Sequence, residues 1–365
     1  MFLHALATAV PAATFTQQQC WKVGRNAPAL QRLTRRSQLV LRSILNGDSG
    51  IATRHFSVSD IAHAFDLTGD ELNAAFRREA PRLAGEALTR ALQQADLRPD
   101  QLDALFLCTC TGYLCPGVTS YVAEQLGLRP DAVLHDLVGL GCGAAIPTLR
   151  AASHFLAARP EAVVAAVAVE ICSAAFYLDD DFGVLISACL FGDGAAATVW
   201  RGRPGPTGWR CQGFRSLHRP EKRDLLRFEI RQGKLRNLLD RSVPTEAASA
   251  VAELFAAEGA PPPAAVLVHP GGRDVLDAIG AVLPGYSLAA SRAVLNACGN
   301  MSSPSVLFVL AEHLRTQPVP PGDLWLASFG AGFSAHACRL SARPAAPVPR
   351  PPRKTMLATL ETGRL

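Results

Sequence analysis

A chain of 365 residues, 49% hydrophobic and 18% charged, has the material for one large or two fused α/β domains around a large core. This composition excludes disorder over most of the length. Of the net charge of +5, the segment from Arg343 onward contributes +4 (Arg343, Arg350, Arg353, Lys354 and Arg364 against Glu361), so the body is near +1 and a nucleic-acid binder is disfavoured.

In chain order, the opening MFLHALATAVPAATF is apolar but lacks a basic n-region, so it reads as a first buried strand and not as a signal peptide. The stretch from Asp70 to Ala95 has helical periodicity, and Pro81 within it predicts two helices or a kinked one. Strands are predicted for LDALFLCTC from Leu102, AVVAAVAVE ending at Glu170, GAAATVW ending at Trp200, AAVLVH ending at His269 and DLWLASFG ending at Gly330. Amphipathic segments such as SVLFVLAEHLRT lie between them, an alternation that implies α/β architecture with buried sheets.

The breaker cluster RGRPGP at 201–206 closes a first half at 1–205, and a second spans 206–342. The charged stretch from Gly213 to Pro244 is expected to be a surface-exposed insertion. After Leu340 the Pro/Arg-rich segment at 343–365 is expected to be a flexible, solubilising tail. Ten cysteines, mostly inside apolar runs, fit reduced buried thiols better than a disulfide framework. No uncharged apolar run reaches the roughly eighteen residues of a membrane span, so a cytoplasmic protein without stable membrane insertion is expected.

Three strand-to-helix junctions could carry chemistry. In GLGCGAA, Cys142 lies between two glycines, after an apolar run and before a helix. The glycines permit close approach by a ligand, and the helix N-terminus is expected to lower the thiol pKa and make a nucleophile. In VHPGG, His269 ends a strand, where ligands of α/β proteins bind. In GNMSS, Asn300 occupies a turn ahead of a helix that Pro304 begins. A small packed thiol, a structural histidine and a plain turn former are the bland alternatives. Taken as a set, a thiolate carries an acyl group while imidazole Nε2–H and a carboxamide point at one developing oxyanion. That arrangement suits decarboxylating condensation of a malonyl thioester, and the three groups are expected to converge at the bottom of an apolar tunnel.

GLGCG around Cys142, LFGDGAAA from Leu190, VHPGG from Val268, GNMSS from Gly299 and SFGAGFSA from Ser328 resemble, in order, the signatures of type III polyketide synthases, the chalcone-synthase-like family. The resemblance implies a thiolase-like fold, a duplicated α/β unit in five α-β-α-β-α layers. It also implies a homodimer that uses free CoA thioesters as substrates, with no cofactor and no metal. Carried over, it makes Cys142 the nucleophile, with His269 and Asn300 stabilising the enolate from malonyl-CoA. Phe191 matches an aromatic gate between CoA tunnel and cavity. Thr111, Ser302, Cys172 and Ala175 match cavity-lining positions, Cys115 a residue reaching into the partner's cavity, and Gly330 a glycine-rich loop that shapes the cavity. Asn237 falls where a second gatekeeping phenylalanine is expected. Arg42 and Arg54 are candidates for holding CoA phosphates.

Cys172 and Ala175 stand where plant enzymes carry threonines, which makes that wall more apolar. Each buried methylene contributes about 0.8 kcal/mol, so a fatty acyl-CoA starter is expected. CTGYLCPG and LLRFEIRQGKLRN also resemble alkylresorcinol and alkylpyrone synthases. The expected reaction joins a long-chain acyl-CoA to two or three malonyl-CoA units and cyclises the product. Phloroglucinol- and tetrahydroxynaphthalene-forming relatives, which take malonyl-CoA alone, are the main rivals. An initiating fatty-acid ketosynthase is disfavoured by Pro270-Gly271-Gly272 after His269. A metal site at Cys108, Cys110 and Cys115 lacks a further ligand pair, and an inactive scaffold is at odds with retention of all three reactive residues. Asp193 and the run Asp179-Asp180-Asp181 read as a structural turn and a solvated loop or helix cap.

Overall fold

The computed structural model describes residues 1–58, 60–317 and 322–342; the tail expected at 343–365 lies outside the described residues. The first half runs β1 (Phe2–Ala9), β2 (Thr14–Thr16), α1 (Gln17–Gly24), α2 (Pro28–Gln31), α3 (Arg35–Asn46), β3 (Thr53–His55) and α4 (Gly69–Gln94). It continues through β4 (Ala104–Cys108), α5 (Val118–Leu126), β5 (Val133–Leu137), α6 (Ala145–Ala158), β6 (Val163–Glu170), α7 (Phe182–Leu190) and β7 (Gly194–Arg201). The second half holds β8 (Trp209–His218), β9 (Leu226–Arg231), β10 (Lys234–Leu239), α8 (Val243–Ala256), β11 (Ala265–Val268) and α9 (Arg273–Val282). It closes with α10 (Ala289–Cys298), α11 (Ser305–Thr316), β12 (Leu324–Gly330) and β13 (Ser334–Ala342).

Nine strands hydrogen-bond in the order β11-β12-β13-β8-β1-β7-β6-β4-β5. Outward from the seam between β1 and β8, one pattern occurs twice. The opening strand is antiparallel to β7 in one half and β13 in the other. Those strands are antiparallel to β6 and β12, which in turn are parallel to β4 and β11. The first half adds β5, parallel to β4, at its outer edge. The thiolase-like duplication is thus written in the strand order.

Strand alternation sorts the side chains into layers. Phe106, Val164 and Ala166 of the first half share a core with Leu324 and Leu326 of the second, and α6 and α11 fill the space between with Ile146, Leu149, Leu307 and Leu310. Leu105, Leu107, Val163 and Val167 face the other way onto Leu83 and Leu88 of α4. Val266, Val268, Trp325 and Ala327 likewise face Val251, Leu276 and Ile279 of α8 and α9. The result is five layers, helix-sheet-helix-sheet-helix.

One expectation is narrowed, since two helices at Pro81 are excluded, and one is corrected. Helix α4 runs through Pro81 as one 26-residue element, started by a capping box between Thr68 and Glu71. Full burial of Leu83, Leu88 and Leu92 contributes roughly 2 kcal/mol each and together outweighs the roughly 3 kcal/mol cost of an interior proline. The charged stretch from Gly213 to Pro244 is no mere surface insertion. It supplies most of β8, a central strand, and the hairpin β9–β10, which lines a cavity. Along β8 exposed residues alternate with buried or half-buried ones, and that period-2 pattern is easily masked by net charge.

Candidate active site

Cys142 lies in a single 3-10 turn, Gly141–Gly143, between β5 and α6. Gly141 has φ +56, a left-handed backbone that a side chain would strain, and a Cβ there would meet the Ala331 nitrogen at 2.9 Å. His269 follows β11, and its N–H donates to the Ala327 carbonyl of β12 at 2.8 Å. Asn300 follows helix α10, so this junction is helix-to-helix and not the strand-to-helix one expected, and an isolated bridge pairs it with Phe191. Its N–H donates to the Leu190 carbonyl at 3.0 Å, and its carbonyl accepts from Gly192 N–H at 3.0 Å. Three crossovers therefore end at one place, and Cys142, His269 and Asn300 line a common cavity of about 590 Å³.

A second, smaller space of about 40 Å³ lies on the other side of the sulfur, lined by Thr111, Cys172, Ala175, Ser302, Asn237 and Ala331 among others. Cys142, Phe191 and Leu226 line both, so the thiol stands at the neck between them. Phe191 is half-buried and Leu226 buried, which makes the neck apolar.

The charge states differ from the sequence-based expectation. Burial pushes the Cys142 thiol up to about 12, with the Glu170 carboxylate adding to the rise and a hydrogen bond from Ser302 opposing it. The helix N-terminus thus does not produce a resting thiolate; loss of water around the sulfur wins. Burial lowers His269 to about 3, leaving a neutral imidazole whose Nδ1 has no hydrogen-bond partner. The ring packs edge-on against Phe329, centroids 5.1 Å apart. A neutral thiol and a neutral base facing one cavity can exchange a proton without a net charge change.

The thiol's hydrogen bond is with Ser302, not with His269: Ser302 Oγ–H donates to Cys142 Sγ at 3.2 Å. Ser302 adopts φ +58, and Asn300 Oδ1 accepts its N–H at 2.7 Å. Asn300 Nδ2 donates one hydrogen to the Gly271 carbonyl at 3.2 Å and keeps a second to offer.

Sequence reasoning missed Glu170, a fully buried carboxylate at the end of β6. One oxygen accepts from Ser303 Oγ at 2.5 Å. The other accepts from Thr111 Oγ1 at 2.8 Å, Cys110 N–H at 2.9 Å and Thr111 N–H at 3.1 Å. Burial nonetheless raises its pKa. The available signal was a lone acid closing an otherwise apolar strand.

Of the cavity assignments, Thr111, Cys172, Ala175, Ser302 and Phe191 do line the smaller space. Gly330 lines neither; the lining residue of its loop is Ala331. A Cβ on Gly330 would meet Gly143 N at 2.5 Å and Cys142 N at 2.8 Å, so its role is to let β12 pass under the nucleophile turn. Cys115 is exposed and lines neither space. Arg54 is buried and donates to Gln17 Oε1 and to the Ala188 and Phe191 carbonyls, so it braces the neck and is not free for a phosphate. Arg42 is exposed and outside the cavity lining. Asp193 is buried and ties Ser57 to Ser173, while Asp181 caps α7, both structural duties. Among the described residues, no group of three or more His, Cys, Asp or Glu side chains is placed to hold a metal, and no helix is long and apolar enough to cross a membrane.

The FAE1/type III polyketide synthase-like family matches residues 13–205, and the chalcone and stilbene synthase C-terminal domain matches 230–322. The chain is 32% identical over 337 residues to the 1,3,6,8-tetrahydroxynaphthalene synthase of Streptomyces coelicolor, covering 89% of this chain and 88% of that one. It is 27% identical over 270 residues to the phloroglucinol synthase of Pseudomonas fluorescens, covering 71% and 77%. The crystal structure of the Streptomyces coelicolor tetrahydroxynaphthalene synthase superposes with a TM-score of 0.84 at 30% identity, over 95% of this chain and 100% of that one. A sulfur at the neck of two cavities, a twofold-repeated α/β core and two matched family segments lead to one conclusion: the chain belongs to the type III polyketide synthase family, condensing enzymes of the acyltransferase kind with a thiolase-like fold.

Proposed function

We propose that the chain is a malonyl-CoA-only type III polyketide synthase, making a polyhydroxylated aromatic product of the tetrahydroxynaphthalene or phloroglucinol kind. The observation that carries this reading is the position of Cys142 at the neck, with His269 and Asn300 on the wide side and a small, partly polar space on the other. The names of the relatives above favour it over the long-chain acyl starter inferred from the apolar wall and the alkylresorcinol-like phrases.

In the proposed cycle, the wide cavity admits the pantetheine arm of a CoA thioester. The thiol turns from Ser302 to the His269 imidazole and gives up its proton as sulfur attacks the thioester carbonyl. A C–S bond forms on Cys142, the bond to CoA breaks, and the proton leaves with CoA as its free thiol. A second malonyl-CoA then loses carbon dioxide, and the electron pair becomes an enolate. His269 Nε2–H and the free hydrogen of Asn300 Nδ2 donate to its oxygen. The enolate carbon attacks the Cys142 thioester, forming a C–C bond and releasing the thiolate. Because departing carbon dioxide generates the carbanion, the scheme uses CoA thioesters as substrates and no separate cofactor. Two such chains working as a homodimer would place Cys115, exposed here, where a partner's cavity can receive it.

Incubating the purified chain with malonyl-CoA alone, and with malonyl-CoA plus acyl-CoAs of graded length, tests this reading by product mass spectrometry. An aromatic product from malonyl-CoA alone, abolished in Cys142→Ala, is expected. Strict dependence on an added long-chain acyl-CoA would overturn it.

A further inference from the structure

Asn237 lies in β10 opposite Phe228 of β9, and both line the smaller space beside Cys142. The residue is only 8% exposed, and its Oδ1 is buried with no hydrogen-bond partner. Most buried polar groups are paired, because an unpaired one has given up its hydrogen bonds to water for nothing in return. Of the other polar side chains in this wall, Thr111 bonds Glu170, Ser187 the Gly183 carbonyl, Ser302 the Cys142 sulfur and Arg227 Glu229, while Tyr177 contributes a hydroxyl that is still free. Phe176, Val184, Ala188, Leu226 and Phe228 make much of the remaining wall apolar. The chain therefore holds one uncommitted carboxamide in the wall of the space that an acyl group on Cys142 would enter.

We propose that Asn237 selects an oxygenated, poly-β-keto chain over a hydrocarbon chain. A β-diketone in its enol form presents a carbonyl acceptor and a hydroxyl donor two carbons apart, and a carboxamide offers the complementary pair. Nδ2–H donates to the keto oxygen while Oδ1 accepts from the enol hydroxyl. A saturated alkyl chain would bury the amide with nothing to bond, and sites built for hydrogen bonds reject ligands that lack them. This specificity role rests on the malonyl-only reading and deepens it.

The test compares wild type, Asn237→Leu and Asn237→Gln, each as the full chain. Leucine branches at Cγ as asparagine does and carries no polar group, so Asn237→Leu removes the unpaired amide and should keep or raise Tm, which a structural role for the amide would not allow. Its rate of full-length product from malonyl-CoA should fall about tenfold or more, with shorter, early-released lactones replacing it. Asn237→Gln should recover part of the loss. An unchanged product distribution in Asn237→Leu, or a lower Tm with products unchanged, would overturn the proposal. If wild type makes nothing from malonyl-CoA alone, the malonyl-only reading falls. The ratio of long to short ketides grown on an acyl-CoA starter then decides the role of Asn237 by the same comparison.

Discussion

His269 ties the charge state of the site to the stability of the fold. Its pKa is about 3 when folded, against 6.5 for an unperturbed imidazole. As pH falls through 6.5, the unfolded chain binds a proton that the folded chain refuses. Stability is therefore lost from about pH 6.5 down to about 3, by up to about 1.4 kcal/mol per pH unit. His269→Gln lacks this penalty. Between pH 7 and 4.5 the Tm difference between variant and wild type should move in the variant's favour by a few degrees, at about 1–2 °C per kcal/mol for a chain of this size. A difference that stays constant with pH in paired thermal scans would refute the assignment of His269 as a buried neutral group. Ser302 allows a second check. Removing its hydroxyl in Ser302→Ala takes away the donor that holds the Cys142 sulfur. Condensation should slow by roughly tenfold, the effect of about 1.4 kcal/mol, with Tm changed little because Ser303 still bonds Glu170.

Elements position these residues through close backbone contacts, and the tightest is β12 beneath the nucleophile turn. Gly330→Ala places a methyl 2.5–2.8 Å from Gly143 N, Leu140 O and Cys142 N. That contact forces the turn to shift, and a misplacement of about 1 Å costs about a hundredfold in rate. The same change at Gly285, where nothing lies within 4 Å, should leave activity intact. Equal effects at the two positions would refute the account of Gly330. The junctions at Cys142 and His269 were legible in the sequence because each sets the end of a strand against glycine or proline punctuation, and the turn at Asn300 because Gly299 and Pro304 bracket it, although a helix and not a strand leads into it. The web around Glu170 was not, because it joins β6, the loop after β4 and the turn before α11, parts that no local pattern links. The hairpin wall escaped for another reason. Several of the charged residues of its segment are exposed, so composition suggested a surface segment, while Leu226, Arg227, Phe228 and Asn237 line the smaller space. The sign of the Cys142 shift was also misjudged, since a local helix terminus is visible in sequence and the depth of burial is not.

At the scale of the molecule, the layer of α6 and α11 belongs to both sheets at once. Neither half can lose that layer and keep its own core, so the described body should unfold as one unit. Trp200 and Trp325, both buried, sit in the first and second halves respectively. Single-tryptophan versions retaining one or the other should report the same denaturant midpoint. Separate midpoints would show that the halves melt independently. The bond pattern around the neck has a consequence for anyone wishing to retune this enzyme. Phe191 is sewn at its backbone to Asn300 on one side and clamped by Arg54 on the other. Swapping the ring for another side chain alters the aperture alone, whereas inserting or deleting a residue near it would drag the oxyanion donor off station. Aperture and chemistry are independent for substitution and inseparable for indels, so diversity at this gate is expected to accumulate by exchange of rings and not by change of loop length.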